Sequence, residues 1–123
     1  MFGDESVDSA LARVDAWEHS MARRAEQAQA LTRRASAMSA TAHSRDGLVE
    51  VTINAEGQLT RLHLDEATRR QSAEATTRSI LETLRAAKED LFRQFEAATT
   101  ETVGAESETG RMLLESQRRR LIQ

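Results

Sequence analysis

Residues 47–64 read GLVEVTINAEGQLTRLHL, and apolar side chains alternate with polar ones along both halves of this segment. A period of two residues, enriched in β-branched side chains, predicts β-strands. The alternation places Val49, Val51 and Ile53 on one face of the first strand. A sheet with one apolar face has to be covered by other elements of the fold.

A short polar loop joins the two halves. Asn54 opens it, and asparagine favours turns because its side chain bonds to nearby backbone; Gly57 closes it and can adopt a positive φ angle. In the second half, Leu62 and Leu64 share one face. We therefore predict antiparallel strands over about residues 47–54 and 58–64, preceded by a further strand at about 39–43.

Long segments with a helical period flank this β-region. Apolar residues recur every three or four positions over about residues 6–38 and again over about 66–102. At about 1.5 Å per residue, helices of this length would measure roughly 45–55 Å. A helix of that length with a narrow, alanine-rich stripe usually packs on another helix, as in a coiled coil. The predicted fold class is α+β: a long helix, a small antiparallel three-stranded sheet and a second long helix.

The predicted helices are longer than the sheet that they cover. A single copy would leave part of each apolar stripe in water, whereas a two-fold homodimer would bury it. We predict that the dimer interface contains residues of the two stripes and of the apolar face of the sheet. These are Val14, Trp17, Met21, Leu31, Val51, Ile53, Ile80, Leu84, Leu91 and Phe95.

The composition argues against several classes of protein. The 123 residues fit one domain, and the lack of cysteine excludes disulfides, thiolate metal sites and cysteine nucleophiles. The three histidines lack partners at metal-binding spacing, and no nucleophile elbow or glycine-rich phosphate loop is present. No uncharged run is long enough to span a bilayer, and the acidic N-terminus is unlike a secretory signal. We expect no catalytic residue, metal or cofactor, and a cytoplasmic protein without membrane contact.

The composition changes after about residue 103. An acidic stretch is followed by the run Arg118-Arg119-Arg120, with apolar residues on both sides. This pattern is compatible with a short helix or with disorder. The arginine run could hold DNA or an acidic partner, or serve only as a solubilising terminus. We therefore divide the chain into a folded domain, residues 1–103, and a C-terminal tail, residues 104–123.

The charge distribution is more informative than the net charge of -3. From His19 to Arg45 there are five arginines and one glutamate, whereas the segment from Asp46 to Glu66 has a net charge of -4. A basic helix face next to an acidic sheet predicts contacts to DNA phosphates. A solvated face neutralised by ion pairs remains the alternative. The candidate DNA-binding residues are Arg23, Arg24, Arg33, Arg34, Arg45, Arg69 and Arg70.

The order and spacing of these elements resemble the YbaB/EbfC nucleoid-associated protein family. The likeness rests on the segment GLVEVTIN at residues 47–54, on Gly57 and on the segment LHLD at residues 62–65, all between two long helices. The opening MFG is also similar to that of many members. The resemblance covers roughly residues 5 to 100. Members found near specialised secretion loci of actinobacteria share the Arg/Ala-rich, Lys-poor composition.

The resemblance implies an α-β-β-β-α protomer, a tweezer-like homodimer and no enzymatic activity. Members bind double-stranded DNA with modest sequence preference through the paired helices, and they influence nucleoid organisation or gene expression. The partners implied are double-stranded DNA and a second copy of the chain, in the nucleoid of the cytoplasm. The acidic net charge and the unusual tail keep an alternative open. This is an adaptor or secretion-system accessory protein that binds another protein on the same dimeric scaffold, with weak or lost DNA binding.

Overall fold

The computed structural model describes residues 2–104 and 106–122, and side chains from Ser6 onward within those ranges. It confirms the α+β fold class. A long helix leads into three antiparallel strands in the order β1-β2-β3, and a 3₁₀ segment at Glu66–Arg70 precedes two further helices. The elements are α1 (Phe2–Ser36), β1 (Ser39–His43), β2 (Val49–Asn54), β3 (Leu59–Leu64), α2 (Ala73–Thr102) and α3 (Glu108–Leu121).

The core lies between the central strand β2 and helix α2. Val49, Val51 and Ile53 are at most 1% exposed, and they alternate with half-buried polar residues that point to the other face. Helix α2 covers this apolar face where β1 and β2 lie side by side, and Leu91 and Phe92 fill the space between them. The alternation in the sequence therefore selects the face of the sheet that the helix covers.

The loop between β2 and β3 has the geometry that its residues favour. The side-chain oxygen of Asn54 accepts hydrogen bonds from the backbone N–H groups of Glu56 and Gln58, each at 3.0 Å. Gly57 has a φ angle of +79°, a conformation that residues with a Cβ atom rarely adopt. The loop thus reverses the chain without leaving these polar backbone groups unpaired.

The predicted second helix is divided into two elements. Asp65 caps only the 3₁₀ segment, through a 2.8 Å hydrogen bond from the N–H of Ala67. The chain is extended at Gln71 and Ser72, and the Ser72 hydroxyl then caps α2 by accepting from the N–H of Ala75. A tertiary contact accompanies these local caps, since the Gln71 amide donates to Asp46 in the β1–β2 turn at 3.3 Å. Such a contact between distant residues leaves no periodic signal in the sequence.

Within the predicted tail, Glu108–Leu121 forms helix α3, which packs on α2 instead of extending away. Leu121 is 5% exposed and belongs to the same core cluster as Val51 and Ile53. The guanidinium of Arg118 lies 4.6 Å from the centre of the Phe92 ring, a favourable cation–π arrangement. The C-terminal segment therefore belongs to the packed structure.

Half of the predicted dimer-interface residues lie in the core of the single protomer. Their side chains are at most 5% exposed, so a second copy that docks on this protomer cannot reach them. These residues are Leu31, Val51, Ile53, Leu91 and Phe95, and the dimer interface as a whole stays a prediction. Ile80 and Leu84 are half-buried against the same core, whereas Val14, Trp17 and Met21 remain 42–63% exposed.

Strand β3 carries an apolar row that the protomer leaves open. Leu64 pairs with Val49, Leu62 with Val51 and Leu59 with Ile53 in the register of the sheet. Directly paired residues project from the same face, so Leu62 and Leu64 continue the buried face of β2. An irregularity in the pairing between Thr52 and Ile53 brings Leu59 opposite Ile53 and so into the same row. All six residues of β3 are exposed, and these leucines are 40–49% exposed. We call Leu59, Leu62 and Leu64 the β3 row.

Candidate nucleic-acid interface

The four candidate arginines of α1 are all exposed, but they point in different directions. Leu31 marks the side of α1 that faces α2, because it packs with Phe95 and Ala98. At about 100° per residue, Arg33 points away from α2 and Arg24 points towards the side that Leu31 occupies. The helix therefore does not present these residues as one continuous surface.

Two of the four have neighbours within the protomer. Arg34 forms an ion pair with Glu101 near the end of α2. Arg24 lines a crevice between α1 and the start of α3, together with Val103 and Glu108. The Arg34 guanidinium therefore links α1 to α2, and the Glu101 carboxylate competes with any phosphate for it.

Arg23 and Arg33 are the two candidates on α1 that have neither of these neighbours. Neither takes part in the ion pairs that residues 6–104 and 106–122 form. They lie ten residues apart, or about 15 Å along the axis. Glu26 is the only acidic residue between them. The side of α1 that carries Arg23 and Arg33 can accept an extended anion without first breaking a salt bridge.

The remaining candidates, Arg45, Arg69 and Arg70, lie together at one end of the sheet. Arg45 is in the β1–β2 turn, and the 3₁₀ segment that carries the other two is fastened to this turn at both ends. The N–H of Asp65 donates to the carbonyl of Leu48 at 2.8 Å, and Gln71 bonds to Asp46. Residues 20 positions or more apart in sequence are thereby brought into one loop cluster.

The charge of this loop cluster is partly balanced. Arg69 forms a 3.1 Å ion pair with Glu66, whereas Arg45 and Arg70 are absent from the ion pairs of the described residues. Asp46 is the acceptor that organises the turn. The Ser44 hydroxyl, 2.6 Å away, is the main cause of a lowered pKa at Asp46, and the N–H of Leu48 at 3.0 Å contributes further. Both bonds favour the ionised carboxylate.

The sheet is less acidic towards a ligand than its sequence indicates. Glu50 projects from the face opposite the core, between two basic side chains on the neighbouring strands. It lies 3.1 Å from His43 Nε2 and 3.8 Å from Arg61 Nε. The one carboxylate in the middle of this face therefore has cationic or polar neighbours on both sides.

A further cluster of basic residues, which the sequence analysis did not predict, lies between α2 and α3. Arg120 of α3, with Arg85 and Lys88 of α2, lines a groove that also contains the carboxylate of Glu89. Its apolar lining includes Leu84 and Ile122. The sequence signal was present, since Leu114 and Leu121 recur with helical spacing around the arginine run. That spacing predicts a packed helix, but the side of α2 that it meets depends on the tertiary structure.

The described residues show no group of three or more side chains suited to holding a metal ion. None of the helices in the described part of the chain has the length and apolar character needed to cross a bilayer. The surface features that remain are exposed arginines on long helices and at one end of the sheet. These features fit an anionic polymer better than a small molecule.

A three-stranded antiparallel meander between two long helices in the chain, with arginines exposed on the first helix, defines a class of small α+β domains. The model of the YbaB/EbfC DNA-binding family matches residues 14–106, about three quarters of the chain. The chain belongs to this family. No curated protein matches it closely enough to be counted as a relative.

A solved structure supports the fold independently. The crystal structure of the uncharacterized protein HP0035 from Helicobacter pylori superposes with a TM-score of 0.54 and 20% sequence identity. The match covers 68% of this chain and 87% of the other. At this identity the comparison establishes a shared fold. Residues 2–13 and helix α3 lie outside the family match.

Proposed function

We propose that this chain is a non-enzymatic protein that binds double-stranded DNA with low sequence specificity. The observation that supports this best is the pair Arg23 and Arg33, exposed and without carboxylate partners, inside the part of the chain that matches the DNA-binding family. In the bacterial cytoplasm such a protein would associate with the nucleoid, and it would influence nucleoid organisation or gene expression.

The proposed contacts are electrostatic. Each guanidinium that neutralises a phosphate releases condensed counterions, so affinity falls steeply as salt rises. Arg45 and Arg70 at the end of the sheet would add contacts of the same kind. Phosphate contacts position a protein on the duplex without reading its sequence. No helix in the described residues combines Arg, Asn and Gln in the convergent way that base recognition uses, which fits low specificity.

We also propose that the DNA-binding form is a homodimer. The β3 row lies at the edge of the sheet, next to the face that α2 covers, and its three leucines are 40–49% exposed. A second copy placed across β3 would bury this row and occupy the free strand edge. It would also double the number of exposed arginines, and therefore the number of phosphates that one assembly contacts.

The DNA proposal is tested by comparing two double variants of equal charge. R23A/R33A removes the two proposed contact residues of α1, whereas R78A/R93A removes arginines that are already paired with Glu74 and Asp90 on their own helix. Fluorescence anisotropy with labelled duplex DNA, at two salt concentrations, gives the affinity and its salt slope. We expect R23A/R33A to bind at least tenfold more weakly, with a smaller slope, and R78A/R93A to bind nearly as wild type.

Absence of binding by the wild-type protein at low salt and micromolar concentration would reject the DNA proposal. The second candidate would then take its place: an adaptor or secretion-system accessory protein that binds another protein on this scaffold. The exposed β3 row and the net charge of -3 favour it. Recovery of one stoichiometric protein partner after nuclease treatment would support this alternative, and recovery of nucleic acid alone would oppose it.

A further inference from the structure

One heptad repeat runs through almost the whole of the first helix and ends at Met38, just before β1. If Val7 is assigned to position a, the a and d positions hold apolar residues with a single exception, Arg24. The repeat therefore continues without a shift for more than four heptads. In order, these positions hold Val7, Ala10, Val14, Trp17, Met21, Arg24, Ala28, Leu31, Ala35 and Met38.

The two halves of this repeat have different environments. In the second half Leu31 is 2% exposed, and Ala35 and Met38 pack against the cluster formed with Phe95. In the first half no side chain between Ser6 and Gln27 is buried. Its large apolar residues are 42–63% exposed. These are Val7, Leu11, Val14, Trp17 and Met21. We call the apolar stripe formed by the a and d positions of α1 the seam. It is covered by α2 at one end of α1 and exposed at the other end.

We propose that the first half of α1 pairs with the same segment of a second copy, in register and parallel, as a short two-stranded coiled coil. The open seam continues one that is already filled by a helix, so its shape suits another helix. Val7 and Val14 are β-branched residues at a positions, which favours a parallel two-stranded arrangement. Trp17 at a d position supplies a large apolar side chain to this interface.

The charges beside the seam decide the orientation. Arg13 occupies a g position and Glu18 the e position five residues later, and neither takes part in the ion pairs of the described residues. In a parallel pair, g of one helix faces the following e of the other. Arg13 of each copy then meets Glu18 of its partner, which gives two such pairs per dimer.

An antiparallel pair would place g opposite g and e opposite e. The g positions hold Ser6, Arg13, Ser20 and Gln27, and the e positions from residue 11 onward hold Leu11, Glu18 and Ala25. No offset then brings an acidic side chain opposite Arg13 or a basic one opposite Glu18. Charge complementarity therefore selects the parallel arrangement over the antiparallel one.

The pairing also leaves the DNA-binding surface open. Arg23 and Arg33 occupy positions c and f, which point away from a two-helix seam. The segment from Val7 to Met21 spans only about two heptads, and so short a coiled coil is marginal by itself. The inference therefore rests on the proposed homodimer, which would hold the two helices at high effective concentration. It does not depend on DNA binding.

Single-cysteine variants of the full chain test the arrangement, because the chain has no cysteine of its own. V14C places the thiol at a seam position, and A12C places it at the exposed f position two residues earlier. Under mild oxidation we expect V14C to form a disulfide-linked dimer at least tenfold faster than A12C. Equal rates, or no cross-link in either variant, would overturn the coiled coil.

A charge-reversal cycle gives a second readout that does not use cysteine. Trp17 is the only tryptophan and is 63% exposed in the protomer, so its fluorescence emission should shift to shorter wavelength when the helices pair. R13E and E18R should each shift the emission back towards the red, and R13E/E18R should restore it. Failure of the double variant to restore the emission would argue against the parallel register.

Light scattering of the wild type, read together with the V14C cross-link, distinguishes the coiled-coil proposal from the proposal of a homodimer through β3. A dimer in which V14C fails to cross-link would remove the coiled coil and leave the homodimer through β3 intact. A stable monomer at micromolar concentration would remove both.

Discussion

Leu121, the last residue of α3, lies against Gly57 in the loop between β2 and β3. A Cβ atom added at Gly57 would be 3.0 Å from Cδ2 of Leu121. The C-terminal helix, outside the segment that matches the family, thus returns to the β-hairpin in the middle of the chain. A change in the conformation of the β2–β3 loop should therefore affect how α3 packs, and a change in the packing of α3 should affect the loop.

Two glycine variants should separate backbone strain from this contact. Gly47 and Gly57 have similar positive φ angles of 76° and 79°, but a Cβ at Gly47 would meet nothing within 4 Å. We expect G47A to lower the free energy of unfolding by about 1–2 kcal/mol, from the left-handed conformation alone. G57A should cost more, because Leu121 must also move. Urea unfolding measures both, and equal losses would mean that Leu121 does not rest on the loop.

Glu101 should limit the DNA affinity of the wild-type protein. Its carboxylate pairs with Arg34, which is 47% exposed and otherwise available to a phosphate. We expect E101Q to raise the affinity for duplex DNA severalfold and to steepen the salt slope by about 0.9, the value for one additional phosphate contact. Anisotropy titrations over a range of salt measure both quantities. In R34A/E101Q the gain should disappear; a gain that persists would mean that general charge, not Arg34, is responsible.

Asp46 should make the β1–β2 turn sensitive to acid. Its pKa is lowered in the folded protein, first by the Ser44 hydroxyl and then by the N–H of Leu48. A lowered folded pKa stabilises the fold above the ordinary aspartate value of about 3.9, and this contribution is lost as the pH falls through the folded pKa. We therefore expect the Tm difference between wild type and D46N to shrink between neutral pH and about pH 3.

S44A supplies the matching control for that prediction. Removing the hydroxyl takes away the main hydrogen bond that favours ionised Asp46. The variant should lose part of the same pH dependence while it keeps the carboxylate. If S44A and D46N both show a Tm deficit that does not change with pH, the turn is not held by the ionised form.

The β3 row should control self-association. Leu62 belongs to the apolar row, while its neighbour His63 points to the other face of the strand. We expect L62Q to weaken the homodimer at least tenfold, because it places an amide in the proposed contact, and H63Q to leave it unchanged. Sedimentation or light scattering over a concentration series measures the dissociation constant. Similar constants for both variants would move the interface away from this face of β3.

Much of the fold follows from local patterns. Period-two alternation in residues 47–64 predicts the strands, and the loop residues Asn54 and Gly57 predict where the chain reverses. The break before α2 was not predicted, and it lies where Gln71 bonds to Asp46, a residue 25 positions away in the sequence. The same applies to α3, whose packed position depends on a core formed by earlier elements.

The candidate site shows the same division. Sequence reasoning located the basic residues of α1, since charge is a local property. It placed the interface on Val51, Ile53 and Leu91 because an apolar side chain looks the same whether its own chain or a second one covers it. Only the packing of α2 over β1 and β2 shows that these three are enclosed and that the leucines of β3 are left open.

By itself the sequence determined the α+β class, the alternating strands, the long helices and the separation of basic from acidic segments, because each depends on near neighbours in the chain. The tertiary structure alone decided which apolar faces are filled, which arginine of α1 is held by a distant carboxylate, and where α3 lies. Those outcomes depend on the distances between residues far apart in sequence, such as Arg34 and Glu101 or Leu121 and Gly57. Folding creates such distances, and no local pattern specifies them.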